Sequence, residues 1–250
     1  MKFPNLTKEE IQESFQRVGS KGENTHSVRM LFAPTHVESD HLDDFTRIYN
    51  NIEGHNFDTL VVVESYTGEL EKKLSLPSAY SYETPFGVVQ VNDRLREELC
   101  DEEDDFYISD SGLSDKSSLY TQIMMFQAYQ NKFDVLSVQI GDYDTAIVQE
   151  LAYALDELLS NRNVLLVFCS DIPSENKDEL AKLKALVTQN NETALKHYIH
   201  SHDKKVNGAR ALIAGVMVAQ SWNLDIRFMD DLTDSKFIGG FAGIPKHQFV

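Results

Sequence analysis

The amino-acid sequence predicts an α/β fold, a three-layer sandwich in which a mixed, largely parallel central sheet lies between layers of helices. Three apolar runs, at residues 28–33, 59–63 and 164–169, have the composition of strands that are covered on both faces. Helical periodicity separates these runs, as expected when crossover helices join parallel strands. Each run ends in a polar turn, and such turns meet at the edge where open α/β sheets bind ligands.

Helices are predicted from capping residues and from apolar residues at helical spacing. Thr7 and Glu10 have the form of a capping box ahead of a first helix. Ser39 or Asp40 can cap a second helix, and Asn92 can cap one that runs through Leu99. Apolar periodicity indicates further helices near residues 119–129, 142–160, 177–188, 192–201 and 209–222.

The remaining strands are predicted at residues 88–91 and 135–140, with a closing strand pair at 225–230 and 237–244. Small residues in the last strand indicate close approach by a neighbouring element. No internal repeat and no long linker divides the chain. We therefore expect residues 1–250 to form a single domain that begins with a helix and a loop over residues 1–27.

The composition argues against several classes of function. The 250 residues include 40 acidic and 23 basic side chains, which give a net charge of −17. A surface of this charge repels nucleic acid and anionic lipid. No run approaches the roughly 18 consecutive apolar residues that a membrane-spanning helix needs. The first residues lack the apolar core of a signal peptide, so we expect a cytoplasmic protein that binds neither nucleic acid nor membrane.

Two polar clusters contain side chains of types that bind metals, but each has a simpler interpretation. The acidic run at 101–105 lacks the glycine and the spaced oxygens of a calcium loop, and it is interpreted as a solvated connection. His197 and His200 can share a helix face, with His202 nearby, but no third ligand is evident, and a polar helix end is the simpler interpretation. Cys169 ends an apolar run, where a buried inert thiol is the common case.

Five segments carry an ordered set of turn motifs. The first is Ala33-Pro34-Thr35-His36, and the second is Glu64-Ser65-Tyr66 at the end of the next apolar run. Tyr82-Glu83-Thr84-Pro85-Phe86-Gly87 follows, and then Val167-Phe168-Cys169-Ser170-Asp171. The last is Asn207-Gly208 before an apolar helix, with Gly240-Phe241-Ala242-Gly243 near the end of the chain. In order and spacing, over roughly residues 28–245, they resemble the Memo family, the B component of the AmmeMemoRadiSam set.

This resemblance implies a fold similar to that of the class III extradiol dioxygenases, and it implies where a metal would bind. Family members with an intact site use two histidines and one cysteine, one from each of three turns. By position these ligands fall at Thr35, with His36 one residue later, at Tyr66 and at Asn207. A borderline divalent metal prefers imidazole and thiolate to a hydroxyl, a phenol or a carboxamide. We therefore expect that the metal site is lost and that no metal cofactor is bound; if a metal is retained, His36 is its expected ligand.

The strand ends are expected to form a cleft. Its candidate residues are Thr35, His36, Glu64, Ser65, Tyr66, Asp115, Lys116, Ser117, Asp171, Asn207 and Arg210. Glu64 and Arg210 could bind a small anionic or hydroxylated ligand, or they could form an ion pair that replaces the metal as structural support. The favoured interpretation is a Memo-like binding or interaction module, which could have protein partners.

The alternative is an enzyme, dioxygenase-like or hydrolytic, with a rebuilt site around His36. His36, Asp171 and Ser65 could supply a base, an orienting acid and a nucleophile, although no GxSxG elbow presents the serine. The family association also suggests a component that acts beside a radical-SAM partner. Glycine-rich nucleotide-binding motifs are absent from the sequence.

Overall fold

The computed structural model of the chain describes residues 5–19, 26–66, 68, 70, 73–102, 105–113, 117–141, 145–172, 178–189, 192–202, 205–230, 232–233 and 236–246, and for residues 102, 192 and 199–202 it describes the backbone alone. The helices are α1 (Lys8–Val18), α2 (Leu42–Tyr49), α3 (Asp93–Glu102), α4 (Leu119–Tyr129), α5 (Thr145–Leu159), α6 (Asp178–Thr188), α7 (Glu192–His202) and α8 (Ala209–Ser221). The strands are β1 (His26–Ala33), β2 (Thr59–Ser65), β3 (Leu74–Leu76), β4 (Ser81–Thr84), β5 (Gly87–Val91), β6 (Phe106–Ile108), β7 (Asp134–Ile140), β8 (Val164–Cys169), β9 (Asp225–Phe228) and β10 (Gly240–Pro245).

The described strands form a single mixed sheet with the order β4-β5-β7-β2-β8-β1-β10-β9. Its centre is parallel, since β5, β7, β2, β8 and β1 all run in one direction. The edges are antiparallel, because β10 runs against β1 and β4 runs against β5. At the end of β7 near Ile140, β3 adds an antiparallel pairing and β6 pairs with β3. The mixed, largely parallel sheet predicted from the sequence is confirmed.

Side chains alternate between the two faces of the central strands, and each face has its own apolar cluster. Val61, Val63 and Phe168 belong to the cluster that includes residues of α3, α5 and α8. Leu60, Val62 and Val167 belong to the opposite cluster, together with residues of α1, α2 and α4. Burial of both faces explains why these strands read as continuous apolar runs rather than as alternating ones.

Two of the three predicted helix caps form. The Thr7 hydroxyl accepts a hydrogen bond from the Glu10 amide, and the Glu10 carboxylate accepts one in return from the Thr7 amide. The Asn92 side chain accepts a hydrogen bond from the Leu95 amide at 3.1 Å. Neither Ser39 nor Asp40 caps α2, because Ser39–His41 form a short 3-10 turn and α2 begins at Leu42 with no side-chain cap.

Three features differ from the sequence-based expectation around the sheet edge. The irregular section after residue 73 contains β3 and β4, and β4 forms a hairpin with β5 in which Tyr82 pairs with Val89. The short strand β6 was not predicted. The acidic run is not wholly a connection, because α3 continues through Asp101 and ends at Glu102. Asp101 is exposed, so that charge stays solvated on the helix surface. Within the described ranges, no helix is long and apolar enough to cross a membrane.

Candidate functional site

A cavity of about 260 Å³ opens at the carboxyl ends of three adjacent strands. The turns that follow β1, β2 and β8 meet there, because β8 pairs with both β1 and β2. We call this cavity the cleft. It is lined by Thr35, His36, Glu64, Ser65, Tyr66, Gly112, Ser117, Cys169, Asn207 and Gly208.

The Glu64 carboxylate is fixed at the start of α4. One oxygen accepts a hydrogen bond from the Ser117 hydroxyl, and the other accepts two at 2.7 Å, from the Ser118 amide and the Ser118 hydroxyl. Glu64 is only 6% exposed. A carboxylate is favoured at a helix N-terminus, where unpaired amides and the helix dipole stabilise negative charge. Glu64 therefore brings a buried, fully oriented negative charge to one wall of the cleft.

Asp171 joins three segments beside the cleft. Its carboxylate accepts hydrogen bonds from the Thr35 amide at 3.2 Å and also from the Thr35 hydroxyl. Its backbone pairs with that of Asn207, through N···O distances of 2.9 and 2.8 Å, and it also forms a bridge with Phe237. The end of β1, the end of β8 and the turn before α8 are therefore held together by one residue.

The turn at Asn207-Gly208 requires glycine. Gly208 has a φ of +80°, in the left-handed region that favours glycine, and an added Cβ would lie 2.3 Å from the Cys169 carbonyl oxygen. This close approach directs the backbone from Asn207 at the cleft into α8. Asn207 is exposed, so its carboxamide is accessible to a ligand.

Arg210 supports the cleft from behind. The side chain is 1% exposed, and its guanidinium donates a hydrogen bond to the Tyr66 carbonyl oxygen at 3.1 Å. The next residue of α8, Ala211, donates its amide to the Ser65 hydroxyl at 3.2 Å. Within the described residues there is no ion pair between Arg210 and Glu64, so of the two alternatives the structural-support ion pair does not form. Arg210 instead positions the turn that carries Tyr66.

Cys169 borders the cleft but is not a reactive thiol. Its side chain is 0% exposed. Burial, together with the nearby Glu64 carboxylate, raises the pKa of the thiol well above its usual range. The thiolate is the nucleophilic form, so this cysteine stays protonated at neutral pH. The inert thiol expected from the sequence is consistent with this environment.

A second cavity, also of about 260 Å³, lies beside the first and shares Thr35, His36 and Asn207 with it. Asp171, His41, Lys236 and Phe237 contribute to its wall, with Glu38 and Ile172. His36 is exposed and borders both cavities. Its ring makes no hydrogen bond to any part of the chain that the structure describes. The Ser65, His36 and Asp171 arrangement considered as a triad is therefore not hydrogen-bonded together; Asp171 is bonded to Thr35.

The donor atoms around the cleft do not fit the two-histidine, one-cysteine set that the resemblance implies. Thr35, Tyr66 and Asn207, to which the resemblance assigns those ligands, do line one cavity. However, the Thr35 hydroxyl is engaged by Asp171, and neither a phenol nor a carboxamide replaces imidazole or thiolate. Among the described residues, no three or more His, Cys, Asp or Glu side chains are grouped to hold a metal ion.

The predicted candidates occupy several positions relative to the cleft. Seven line it, Asp171 lines the adjacent cavity, and Arg210 lies behind it. Asp115 and Lys116 lie outside the described residues, as do the side chains of His200 and His202. Gly112 was missed because it lies in a short 3-10 turn that carries no chemical motif. Gly208 was identified only as a turn residue, although its φ makes it essential to the site's shape.

Comparisons with known proteins point to the same family as the sequence resemblance. A family model described as Memo-like protein matches residues 3–230. A MEMO1 family protein from Nitrosopumilus maritimus is 24% identical over 176 residues, which are 68% of this chain and 64% of that protein. A MEMO1 family protein from Aquifex aeolicus is 28% identical over 131 residues, 46% of each chain. The matched part therefore spans less than two thirds of either relative's length.

A solved structure supports the fold. The crystal structure of an uncharacterized protein from Escherichia coli K12 superposes with a TM-score of 0.58 at 14% identity, covering 86% of this chain and 100% of that one. At this identity the likeness concerns the fold alone. The family assignment rests on the model that matches most of the chain: this protein belongs to the Memo family.

Proposed function

We propose that this protein is a Memo-family binding module whose cleft takes a small polar ligand without the family's transition metal. One observation carries the proposal: Thr35, Tyr66 and Asn207 line one cavity without supplying an imidazole or a thiolate, and the same lining offers only one imidazole, that of His36, and one buried thiol, that of Cys169. The strand-end architecture is retained, whereas the donor atoms are changed. A pocket with convergent polar groups is the usual form of a small-molecule site.

The electrostatics of the cleft favour a hydroxylated ligand over an anionic one. Glu64 lines the cleft and Asp171 lines the adjacent cavity, and both are carboxylates. Asp171 shares the adjacent cavity with Lys236, whereas the described lining of the cleft has the Glu64 carboxylate and neither lysine nor arginine. The Glu64 charge disfavours a bound anion in the cleft, since interactions between charges strengthen where water is excluded. Hydroxyl groups of Ser65, Tyr66 and Ser117 also line the cleft and can exchange hydrogen bonds with a ligand.

The metal-free cleft is tested by elemental analysis of the full chain, purified without a histidine tag, followed by titration with iron, zinc and copper. We expect far less than one equivalent of each metal and no thermal shift on titration. Retention of about one equivalent that is lost in His36→Ala would refute the proposal, because it would show a site rebuilt around His36. A matched variant, Thr35→His/Tyr66→His/Asn207→Cys, restores the implied ligand set and should gain metal binding if the geometry of the cleft is intact.

A second candidate function is an enzyme that uses His36. The observation in its favour is that His36 is exposed, borders both cavities and has no hydrogen-bonded partner among the described residues. Such a ring is accessible for proton transfer to a ligand. If His36 is catalytic, His36→Ala should abolish turnover of a bound ligand while leaving the fold unchanged. If the wild type binds a ligand without turnover and His36→Ala still binds that ligand, the binding module remains the better description.

A further inference from the structure

The second cavity differs from the cleft in its charged side chains. Glu38, Asp171 and Lys236 line it, so carboxylates and an ammonium group border one space of about 260 Å³. The described lining of the cleft has one carboxylate, that of Glu64, and neither lysine nor arginine. Charges of both signs therefore meet in the second cavity and not in the cleft.

Backbone contacts place the positive residue beside a negative one. The Ile172 amide donates a hydrogen bond to the Lys236 carbonyl oxygen at 2.8 Å, and Asp171 forms a bridge with Phe237. The Asp171 carboxylate is itself fixed by hydrogen bonds from the Thr35 amide and hydroxyl. The wall that carries both charges is therefore built from three distant segments of the chain and is preformed.

The same wall has an apolar part. Phe237 is 9% exposed and Ile172 is 1% exposed, and both line the cavity. The Phe237 ring meets the rings of Phe45 and His41 edge to face, at centroid distances of 5.7 and 5.4 Å. A fixed apolar surface beside a few charged groups is typical of a small-molecule site.

The charges restrict which ligand can fill this cavity. A cation is opposed by Lys236, and an anion is opposed by the Glu38 and Asp171 carboxylates. A neutral ligand displaces water from these groups and supplies no opposite charge in return, which costs free energy. A zwitterion supplies both charges, an ammonium group to the carboxylates and a carboxylate to Lys236.

We propose that the second cavity binds the zwitterionic head group of a small hydroxylated amino acid, whose hydroxyl reaches into the cleft. Thr35, His36 and Asn207 line both cavities, so a ligand that extends past His36 enters the cleft. There the hydroxyl groups of Ser65 and Tyr66 can exchange hydrogen bonds with it. The inference rests on the proposed function and names its ligand class.

The binding test uses the full-length protein with L-serine and L-homoserine, measured by calorimetric titration and ligand-observed NMR. Each is compared with analogues that lack the carboxylate, the ammonium or the hydroxyl group. For L-serine these are ethanolamine, 3-hydroxypropionate and L-alanine. We expect at least one of the two amino acids to bind the wild type, and each of its analogues to bind about tenfold more weakly or less, since a charged or hydroxyl partner is lost.

Two variants change the charges without changing the wall. Lys236→Met should weaken binding of the amino acid about three- to tenfold and tighten binding of its analogue without the carboxylate, because the opposing ammonium is removed. Glu38→Gln should weaken binding of the amino acid and tighten binding of the analogue without the ammonium. Both side chains are exposed, and that of Glu38 makes no capping bond to the turn after it. Opposite shifts for two probes cannot arise from a general loss of structure.

The matched control is Lys132→Met. Lys132 is also exposed, but it precedes β7 and so lies at the amino edge of the parallel strands, opposite the two cavities. Its replacement removes the same charge from the protein and should leave the affinity for every probe unchanged.

Three results would overturn the inference: neither amino acid binds the wild type, an analogue that lacks one of the three groups binds as tightly as its parent, or Lys236→Met and Lys132→Met have the same affinities. Failure of the proposed function is distinguishable from these results. A wild type that retains about one equivalent of metal refutes the metal-free cleft. A metal-free wild type that binds an analogue with a single charge as tightly as the amino acid keeps the binding module and refutes only the zwitterionic ligand.

Discussion

Replacing Gly208 by alanine should destabilise the protein more than the same replacement at Gly54. The two glycines have nearly identical left-handed conformations, with φ of +80° and +81°. At Gly54 nothing lies within 4 Å of an added Cβ, whereas at Gly208 the Cβ would lie 2.3 Å from the Cys169 carbonyl oxygen. Comparing the two variants therefore separates two effects. Backbone strain occurs at both glycines, whereas a steric clash beside the cleft occurs only at Gly208.

The magnitudes follow from these two contributions. Left-handed strain costs alanine about 1–2 kcal/mol, and the lower entropy of the unfolded chain offsets about 0.4–1 kcal/mol of it. Gly54→Ala should therefore lower the free energy of unfolding by roughly 0–1.5 kcal/mol. Gly208→Ala must also displace packed backbone, which costs about 1–3 kcal/mol more. The difference between the variants is the quantity of interest, because the strain cancels in it.

Urea denaturation monitored by the fluorescence of Trp222, the only tryptophan in the sequence, measures both variants. Thermal unfolding provides a second estimate, at about 2–4 °C in Tm for each kcal/mol. Equal destabilisation of Gly208→Ala and Gly54→Ala would refute the reasoning, since it would mean that the turn before α8 yields to a side chain without cost. Loss of ligand binding in Gly208→Ala alone would further tie this turn to the position of Asn207.

Three further predictions concern charge and protonation near the cleft. Glu64→Ala should lower the free energy of unfolding by about 2–4 kcal/mol, because three hydrogen bonds to a buried carboxylate are lost. Glu64→Gln keeps one side-chain oxygen as an acceptor and should lower the free energy of unfolding by less. Equal destabilisation of the two variants in urea denaturation would contradict this prediction. Iodoacetamide at pH 8 should label the partly exposed Cys100 before the buried Cys169, because burial raises the pKa of the Cys169 thiol; faster labelling of Cys169, seen by mass spectrometry, would argue against it. Burial also raises the pKa of Tyr49, so the unfolded chain releases protons from Cys169 and Tyr49 at a lower pH than the folded protein does. Stability should therefore fall as the pH rises above about 9; Cys169→Ala should reduce that fall, and a urea midpoint that is constant from pH 7 to 10 would exclude it.

The central strands could be predicted because a strand that is buried on both faces has a continuous apolar sequence. Residues 164–169 are all apolar, and the structure places them in a strand flanked by strands on both sides. The short edge strands have no such apolar run. Phe106–Ile108 form β6 only because β3 lies beside them, and three residues are too few for a periodic pattern.

The candidate site could be predicted in outline for a similar reason. Parallel strands end at one edge, so Thr35, Glu64 and Asp171 could be assigned to that edge from the order of the strands. Their partners could not. The bonds from Ser117 and Ser118 to Glu64 depend on where α4 begins in space.

The position of Asp171 has a consequence for how the site comes into being. The contact between Thr35 and Asp171 joins residues 136 positions apart in the chain, and the bridges from Asp171 to Asn207 and Phe237 add two more distant segments. Contacts of such long sequence separation carry a large loop-closure cost, because the chain between them must be closed into a loop. The cleft is therefore a property of the complete fold: neither the segment through β2 nor the segment through β8 contains it. A protein arrested before α8 docks would have most of its sheet and no cleft.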